Sequence, residues 1–199
     1  MSVGLFAEER AWVRDAVPRR VREFGTVRAC ARRALGRLGV APVPLLPGPR
    51  GEPRWPPGIV GSMTHCAGFR AAAMARSRDI ASLGIDAEPH EPLPSGLLHK
   101  VARPEERSRI AHLERIGPAV HWDRLTFSAK EAVYKAWFPL TGRRLGFQDV
   151  ALEFDPLSRH FRARLYATGL VLDDRPVTTV IGNWTGESGL ICTAVAVGK

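Results

Sequence analysis

Three short stretches hold residue types that could act together on a phosphate-bearing ligand. In ASLGIDAEP, residues 81 to 89, Ala81, Leu83, Ile85 and Ala87 alternate with Ser82, Gly84, Asp86 and Glu88. That is the period of a half-buried strand. Asp86 and Glu88 then leave the same face, with backbone origins roughly 6.6 Å apart. Like charges so placed repel unless a cation lies between them. Two readings follow. The pair is a solvated strand end before the turn at Pro89, or it is a site for a hard cation such as Mg²⁺, which takes a few carboxylate oxygens plus water and substrate phosphate. The second reading needs a third oxygen ligand from elsewhere in the chain.

FSAKEAVYKAW, residues 127 to 137, offers one. Ala132, Val133, Ala136, Trp137 and Leu140 form the apolar stripe of a helix. Ser128 followed three residues later by Glu131 has the pattern of a capping box, a structural role worth about 1 kcal/mol. Lys135, four residues after Glu131, has the spacing of a helix ion pair worth about 0.3–0.5 kcal/mol. The functional alternative makes Glu131 the third metal ligand or a base, and Lys135 the cation for a phosphate. In GSMTHCAG, residues 61 to 68, Thr64 and His65 stand at a glycine-flanked turn where they are either ordinary hydrogen-bonded residues or donors to a phosphate. Nothing near Cys66 marks it as an activated thiol, so a cysteine nucleophile is not expected.

The elements that position these residues can be sketched from pattern. Within residues 17 to 39, Phe24, Val27, Ala31, Leu35 and Leu38 recur at helical spacing, with Arg19, Arg20, Arg22, Arg28, Arg32, Arg33 and Arg37 on the other faces. Residues 41 to 58 are rich in proline and glycine and read as an ordered loop. A hairpin centred on THCAG follows, then the acidic strand, then a proline-bearing crossover over 89 to 104 with a short helical turn. Residues 104 to 137 read as mostly helical. Alternation returns at Val150, Leu152 and Phe154 and at Phe161, Ala163 and Leu165, and LICTAVAV pairs with VTTVIGNW across TGESG. Helices and mainly antiparallel strands in this order predict an α+β fold.

The chain has 199 residues and a formal net charge of +9, which points to polyanionic partners: nucleic acid, phosphate-rich small molecules or an acidic protein surface. Three scattered cysteines fit a reducing compartment better than a disulfide framework. No apolar run approaches the roughly 20 residues of a membrane span. MSVGLFAEER lacks a basic region followed by an apolar core, so no secretory signal is expected. A basic nucleic-acid-binding module is the rival from another class, but aromatics do not interleave with the basic helix face and no nucleic-acid motif is present.

Taken in order, VGSMTHCAG, GIDAEP and WDRLTFSAKEAVYKAW resemble the motifs of the 4′-phosphopantetheinyl transferases, in the surfactin- and enterobactin-type class and closest to its actinobacterial members. The similarity runs from about residue 17 to the C-terminus. It implies an α+β fold of two similar halves related by a pseudo-two-fold, with a cleft between them: an N-terminal half at 1–82 for the adenosine end of coenzyme A, and a C-terminal half at 83–199 with the metal site and catalytic helix, together one compact unit. It further implies transfer of the 4′-phosphopantetheine group from coenzyme A to a serine of an apo acyl or peptidyl carrier protein. The services expected are polyketide, nonribosomal-peptide or fatty-acid synthesis, hence secondary metabolism and antibiotic biosynthesis, by a cytoplasmic monomer with no nucleic-acid or membrane partner.

The resemblance also assigns residues. Asp86, Glu88 and Glu131 match the family's metal ligands for Mg²⁺, with Mn²⁺ as an alternative, and the carbonyl of Ala87 joins them in some relatives. Glu131, Lys135 and Asp86 are the implied catalytic set, with Glu131 taking the serine proton. Arg20 and Arg28 match arginines that hold the adenosine end of coenzyme A; Arg50, Gly51, Glu52 and Pro53 match a loop at the adenine; Thr64 and His65 match contacts to the 3′-phosphate region. Lys130 and Lys135, the two lysines of the helix motif, are counted with the coenzyme A ligands. The chain starts closer to its first helix than many relatives do. An acidic carrier surface agrees with the +9 charge.

Overall fold

The computed structural model describes residues 4–199. The arginine-studded segment folds as a twenty-residue helix, α2 (Pro18–Arg37), after a short α1 (Ala7–Val13). Proline at the first helical position costs no hydrogen bond, because that N–H would have no partner in the helix. Phe24, Val27, Ala31 and Leu35 are buried, as their spacing predicts. The helix packs on an antiparallel hairpin of β1 (Ile59–Cys66) and β2 (Phe69–Arg76), whose turn uses Gly68 at φ 75°. The proline-rich loop is tied down by Leu45, which is wholly buried between Ala31, Leu35 and Ile59.

The rest of the chain repeats the plan on a larger scale. It contributes β3 (Ser82–Pro89), α3 (Leu98–Val101), α4 (Pro104–Ile116), the twenty-residue α5 (Trp122–Thr141), β4 (Val150–Asp155), β5 (His160–Leu165), a small hairpin of β6 (Val171–Leu172) and β7 (Arg175–Pro176), β8 (Thr179–Glu187) and β9 (Leu190–Val197). The five long strands form one antiparallel sheet in the order β3-β9-β8-β5-β4. Trp122, Leu125, Ala129, Val133 and Trp137 of α5 pack into its core against Leu152, Phe161, Ile191 and Val195. The β8–β9 turn consists of Ser188 and Gly189, both at positive φ (52° and 74°), the backbone that a two-residue hairpin loop requires. Each half is thus a long helix on an antiparallel sheet, and the fold is α+β.

The halves meet where β1 lies along the free edge of β3. Unpaired edge N–H groups need partners, and here side chains supply them: Ile85 N donates to Ser62 Oγ (3.1 Å) and Ala87 N to Thr64 Oγ1 (3.1 Å). On one face α5 crosses β3 so closely that a Cβ at Gly84 would run into the Ala132 carbonyl. The expected half-solvated strand is therefore covered on both sides; Ser82, Leu83, Gly84, Asp86 and Ala87 are all buried. Alternation does not distinguish a face met by solvent from a polar face met by another element.

Candidate active site

Asp86 points to the same side as Gly84, toward α5, and is only 6% exposed. Its Oδ1 accepts from Lys135 Nζ (2.7 Å) and from the Thr64 hydroxyl (3.2 Å), while Oδ2 is buried without a partner. Lys135 Nζ also donates to the Ile85 carbonyl at 3.1 Å. Glu88, two residues along, accepts from Arg124 of α5 at 3.0 Å. Burial raises the Glu88 carboxyl above its ordinary range and the Asp86 charge raises it further, with Arg124 opposing. Burial likewise raises Glu131; Lys135 opposes this, and the charges of Asp86 and Glu88 add to it. Three carboxylates therefore lie within each other's field at the junction of the halves.

Whether these residues suit a divalent cation can be judged from the donors themselves. Among the described residues no three Asp, Glu, His or Cys side chains form a ready-made metal cluster, because Asp86 leans to Lys135 and Glu88 to Arg124. An unpartnered buried carboxylate oxygen beside two carboxyls with raised pKa is nevertheless an excess of hard oxygen donors, the chemistry Mg²⁺ selects. Asp86, Glu88 and Glu131 fit the ion. Ala87 sits between the first two, its N–H engaged by Thr64.

Two local expectations at α5 are corrected. The helix begins at Trp122, so Ser128 lies in its second turn and there is no capping box; its hydroxyl instead bonds Thr193 Oγ1 of β9 at 2.9 Å. The ion pair expected between Glu131 and Lys135 is replaced by the one to Asp86, because β3 presents a buried carboxylate to the same lysine. Neither residue is then explained by helix chemistry.

Lys130 is a further correction. Its Nζ lies within 2.9 Å of Glu106 Oε2 and of the carbonyls of Val101, Phe147 and Val150, and the side chain is fully buried. An ammonium has three protons, so none is left for coenzyme A. Arg28 departs from expectation as well. It is buried rather than off the apolar stripe: its guanidinium lies 3.2 Å from the Phe24 ring centroid and its Nε donates to the Leu45 carbonyl at 2.6 Å. Burial lowers its pKa to about 10.

The remaining candidates belong to α2, β1 and the loop between them. His65 follows Thr64 at the end of β1, and burial lowers its pKa; Glu23 opposes that, while Arg20, Arg70 and Lys135 reinforce it. Arg20, Arg70 and Lys135 thus place positive charge in the neighbourhood of His65. Arg70 was not legible as part of it; its Nε is buried without a partner while its NH1 holds the Cys66 carbonyl at 2.6 Å. Arg124 was also missed, although it lies in a quoted motif. Residues 47 to 53 form a turn closed by Gly48 N on the Glu52 carbonyl (2.6 Å) and Arg50 N on Glu52 Oε2 (2.9 Å). The turn brings the Arg50 guanidinium 5.7 Å from the Phe138 ring centroid of α5, so this first-half loop reaches the second half through Arg50; Pro53 pairs within the loop, with Pro47. Cys66 is pushed toward the neutral thiol by burial and by Glu88, the opposite of an activated nucleophile.

Beside Glu131 opens a pocket of about 320 Å³ lined by Lys130, Tyr134, Arg144, Leu145, Gly146, Phe147 and Val150. Positive charge around His65, a carboxylate cluster and this partly apolar cavity are what a ligand with phosphates and a long neutral arm requires.

Known proteins resemble this chain over most of its length. The 4′-phosphopantetheinyl transferase N-terminal domain matches residues 8–75, and the 4′-phosphopantetheinyl transferase superfamily matches residues 82–179. The 4′-phosphopantetheinyl transferase Svp of Streptomyces mobaraensis is 58% identical over 193 residues, covering 97% of this chain and 78% of that protein. PptT of Mycobacterium tuberculosis is 49% identical over 195 residues, covering 96% and 85%. Npt of Nocardia iowensis is 44% identical over 198 residues, covering 96% and 87%.

Proposed function

This chain belongs to the 4′-phosphopantetheinyl transferase superfamily, and we propose that it moves the 4′-phosphopantetheine group of coenzyme A onto a serine of apo acyl or peptidyl carrier proteins with Mg²⁺, or Mn²⁺ in its place. The observation that carries the reading is the unpartnered Oδ2 of buried Asp86 in the field of Glu88, Glu131 and Lys135. Asp86, Glu88 and Glu131, with the Ala87 carbonyl, would hold the ion, which when bound neutralises charge on the pyrophosphate.

The protein's own groups account for the rest. Lys135, with Arg20 and Arg70 around His65, receives the phosphates of coenzyme A. The turn at Arg50 to Pro53 faces the adenine, and the pocket beside Glu131 takes the neutral arm. The serine oxygen attacks the phosphorus that carries the arm. A new phosphorus–oxygen bond forms, the bond to 3′,5′-adenosine bisphosphate breaks, and the serine proton passes to Glu131. Glu131 is the carboxylate that borders the arm pocket, the position that role requires. Positioning and charge stabilisation supply most of the acceleration. The +9 charge favours an acidic carrier, and the chain acts in the cytoplasm as a monomer without nucleic acid. Among the described residues no helix is long and apolar enough to cross a membrane.

The test is incubation with coenzyme A, Mg²⁺ and a panel of apo carrier proteins, followed by mass measurement. A gain of one phosphopantetheine on a carrier is expected. Absence of any gain, together with salt-sensitive binding to DNA, would favour a nucleic-acid-binding role instead.

A further inference from the structure

A buried ion pair begins one residue before Glu131 on α5. Lys130 Nζ joins four oxygens from three segments: the Val101 carbonyl of α3 (2.9 Å), Glu106 Oε2 of α4 (2.6 Å), and, from the stretch that leads into β4, the carbonyls of Phe147 (2.8 Å) and Val150 (2.8 Å). Glu106 is equally committed. Its Oε2 also accepts from Arg103 N (2.7 Å), and its Oε1 accepts from Leu152 N (2.7 Å). The two side chains are 1% and 2% exposed, and both are fully hydrogen-bonded.

A buried charged pair is rarely the most stabilising choice for a core, since apolar residues of like volume often serve as well or better. What such a pair supplies is directional geometry. Here the geometry has an object, because Phe147 and Val150, whose carbonyls Lys130 holds, line the same pocket as Glu131. Lys130 also precedes Glu131 on α5, so one residue fixes both the helix that carries the base and the wall opposite it.

We propose that Lys130 and Glu106 are positioning residues for the transfer step: they hold the segment from Leu145 to Leu152 against α5 so that Glu131 and the arm pocket keep their relative placement, with the Lys130 ammonium engaged by protein oxygens rather than by coenzyme A. The inference rests on the transfer reading above. Misplacement of reacting groups by about 1 Å can cost about a hundredfold in rate, so a network that sets this spacing acts on the rate of the bound complex and leaves ligand affinity alone.

The experiment uses the whole chain with Lys130→Met, Glu106→Gln and the double variant. Three quantities are read: the Kd for coenzyme A with Mg²⁺ by calorimetry, the single-turnover rate on a saturated apo carrier, and amide hydrogen exchange over residues 145 to 152. The expected result is a Kd within about twofold of wild type, a single-turnover rate lower by at least about tenfold, and faster exchange over 145 to 152. The double variant should be no slower than the worse single one, because it leaves no unpaired buried charge. A Kd weakened about tenfold by Lys130→Met with the saturated rate unchanged would put Lys130 on the ligand and overturn the proposal. A lower melting temperature with an unchanged rate would also overturn it, leaving the pair merely structural. Should Lys130→Met not fold, Glu106→Gln, which keeps the shape of its side chain, carries the same three readings. If the wild type binds coenzyme A but modifies no carrier, the transfer reading fails by itself; exchange over 145 to 152 and the Kd then decide whether the pair holds the pocket wall.

Discussion

Lys135→Ala isolates the contact on which the site geometry turns. In the folded chain Lys135 Nζ compensates Asp86 at 2.7 Å, and the two side chains are 27% and 7% exposed. Removing one partner of a buried pair typically costs about 3–5 kcal/mol, since the other charge is left uncompensated. Lys135 reaches water along part of its length and the Thr64 hydroxyl remains on Oδ1 at 3.2 Å, so the lower end, about 3 kcal/mol, applies. For a chain of 199 residues, 1 kcal/mol moves the melting temperature by about 2–4 °C, which makes the expected fall about 6–12 °C without metal. Millimolar Mg²⁺ should recover more of that loss in the variant than it adds to the wild type, because an ion at the carboxylates replaces the missing cation. Thermal scans of both proteins with and without Mg²⁺ make the measurement. A fall below about 2 °C would mean that the ion pair contributes little in solution. An Mg²⁺ response no larger in the variant than in the wild type would refute the assignment of the ion to these carboxylates.

Other perturbations probe separate parts of the account. Glu131→Gln removes one carboxylate from a mutually repelling set and no helix cap, so the melting temperature should hold or rise while single-turnover transfer falls at least about a hundredfold; small parallel losses in both would return Glu131 to a structural role. Because Glu131 has a raised pKa, the folded chain binds its proton more tightly than the unfolded chain. Its contribution to metal-free stability must therefore decline as pH rises from the ordinary 4.5 through the raised value. The melting-temperature difference between wild type and Glu131→Gln, followed from pH 4.5 to 7, should shrink or turn negative; a rising difference contradicts the burial of that carboxyl. Gly84→Ala places a Cβ against the Ala132 carbonyl and the Ala136 N–H, backbone atoms that cannot turn aside, and should destabilise by about 1–3 kcal/mol. An unchanged denaturation midpoint would mean that β3 and α5 are not in that contact.

The sequence carried the periodic elements well. The stripe Phe24, Val27, Ala31 and Leu35 became the buried face of α2, and the alternations after Gly146 became β4 and β5. What pattern could not supply was the identity of the covering partner. Asp86 and Glu88 alternate with apolar residues whether water or a helix meets them, and only the close approach at Gly84 reveals the helix. Ser128 and Glu131 satisfied a capping pattern inside a helix that starts six residues earlier, at Trp122. Arg28 and Lys130 look like surface cations in the chain, yet their partners, Leu45 and Glu106, are 17 and 24 residues away. Long polar side chains of this kind declare their role through tertiary partners, which local spacing does not encode. The carboxylates and Lys135, by contrast, were grouped by motif resemblance alone, and the fold brings Asp86, Glu88, Glu131 and Lys135 into one field at the junction of the halves.

The most direct measurement is single-turnover transfer from coenzyme A to an apo carrier protein, followed by mass, for wild type beside Asp86→Asn, each with Mg²⁺ and with chelator. Asp86→Asn keeps the shape of the side chain while removing the charge on the buried Oδ2. The account predicts one phosphopantetheine added per carrier by the wild type with Mg²⁺, none with chelator, and a rate for Asp86→Asn lower by at least about a hundredfold in a protein that still melts cooperatively. Near-normal transfer by Asp86→Asn, or transfer by the wild type that is indifferent to the chelator, would contradict it.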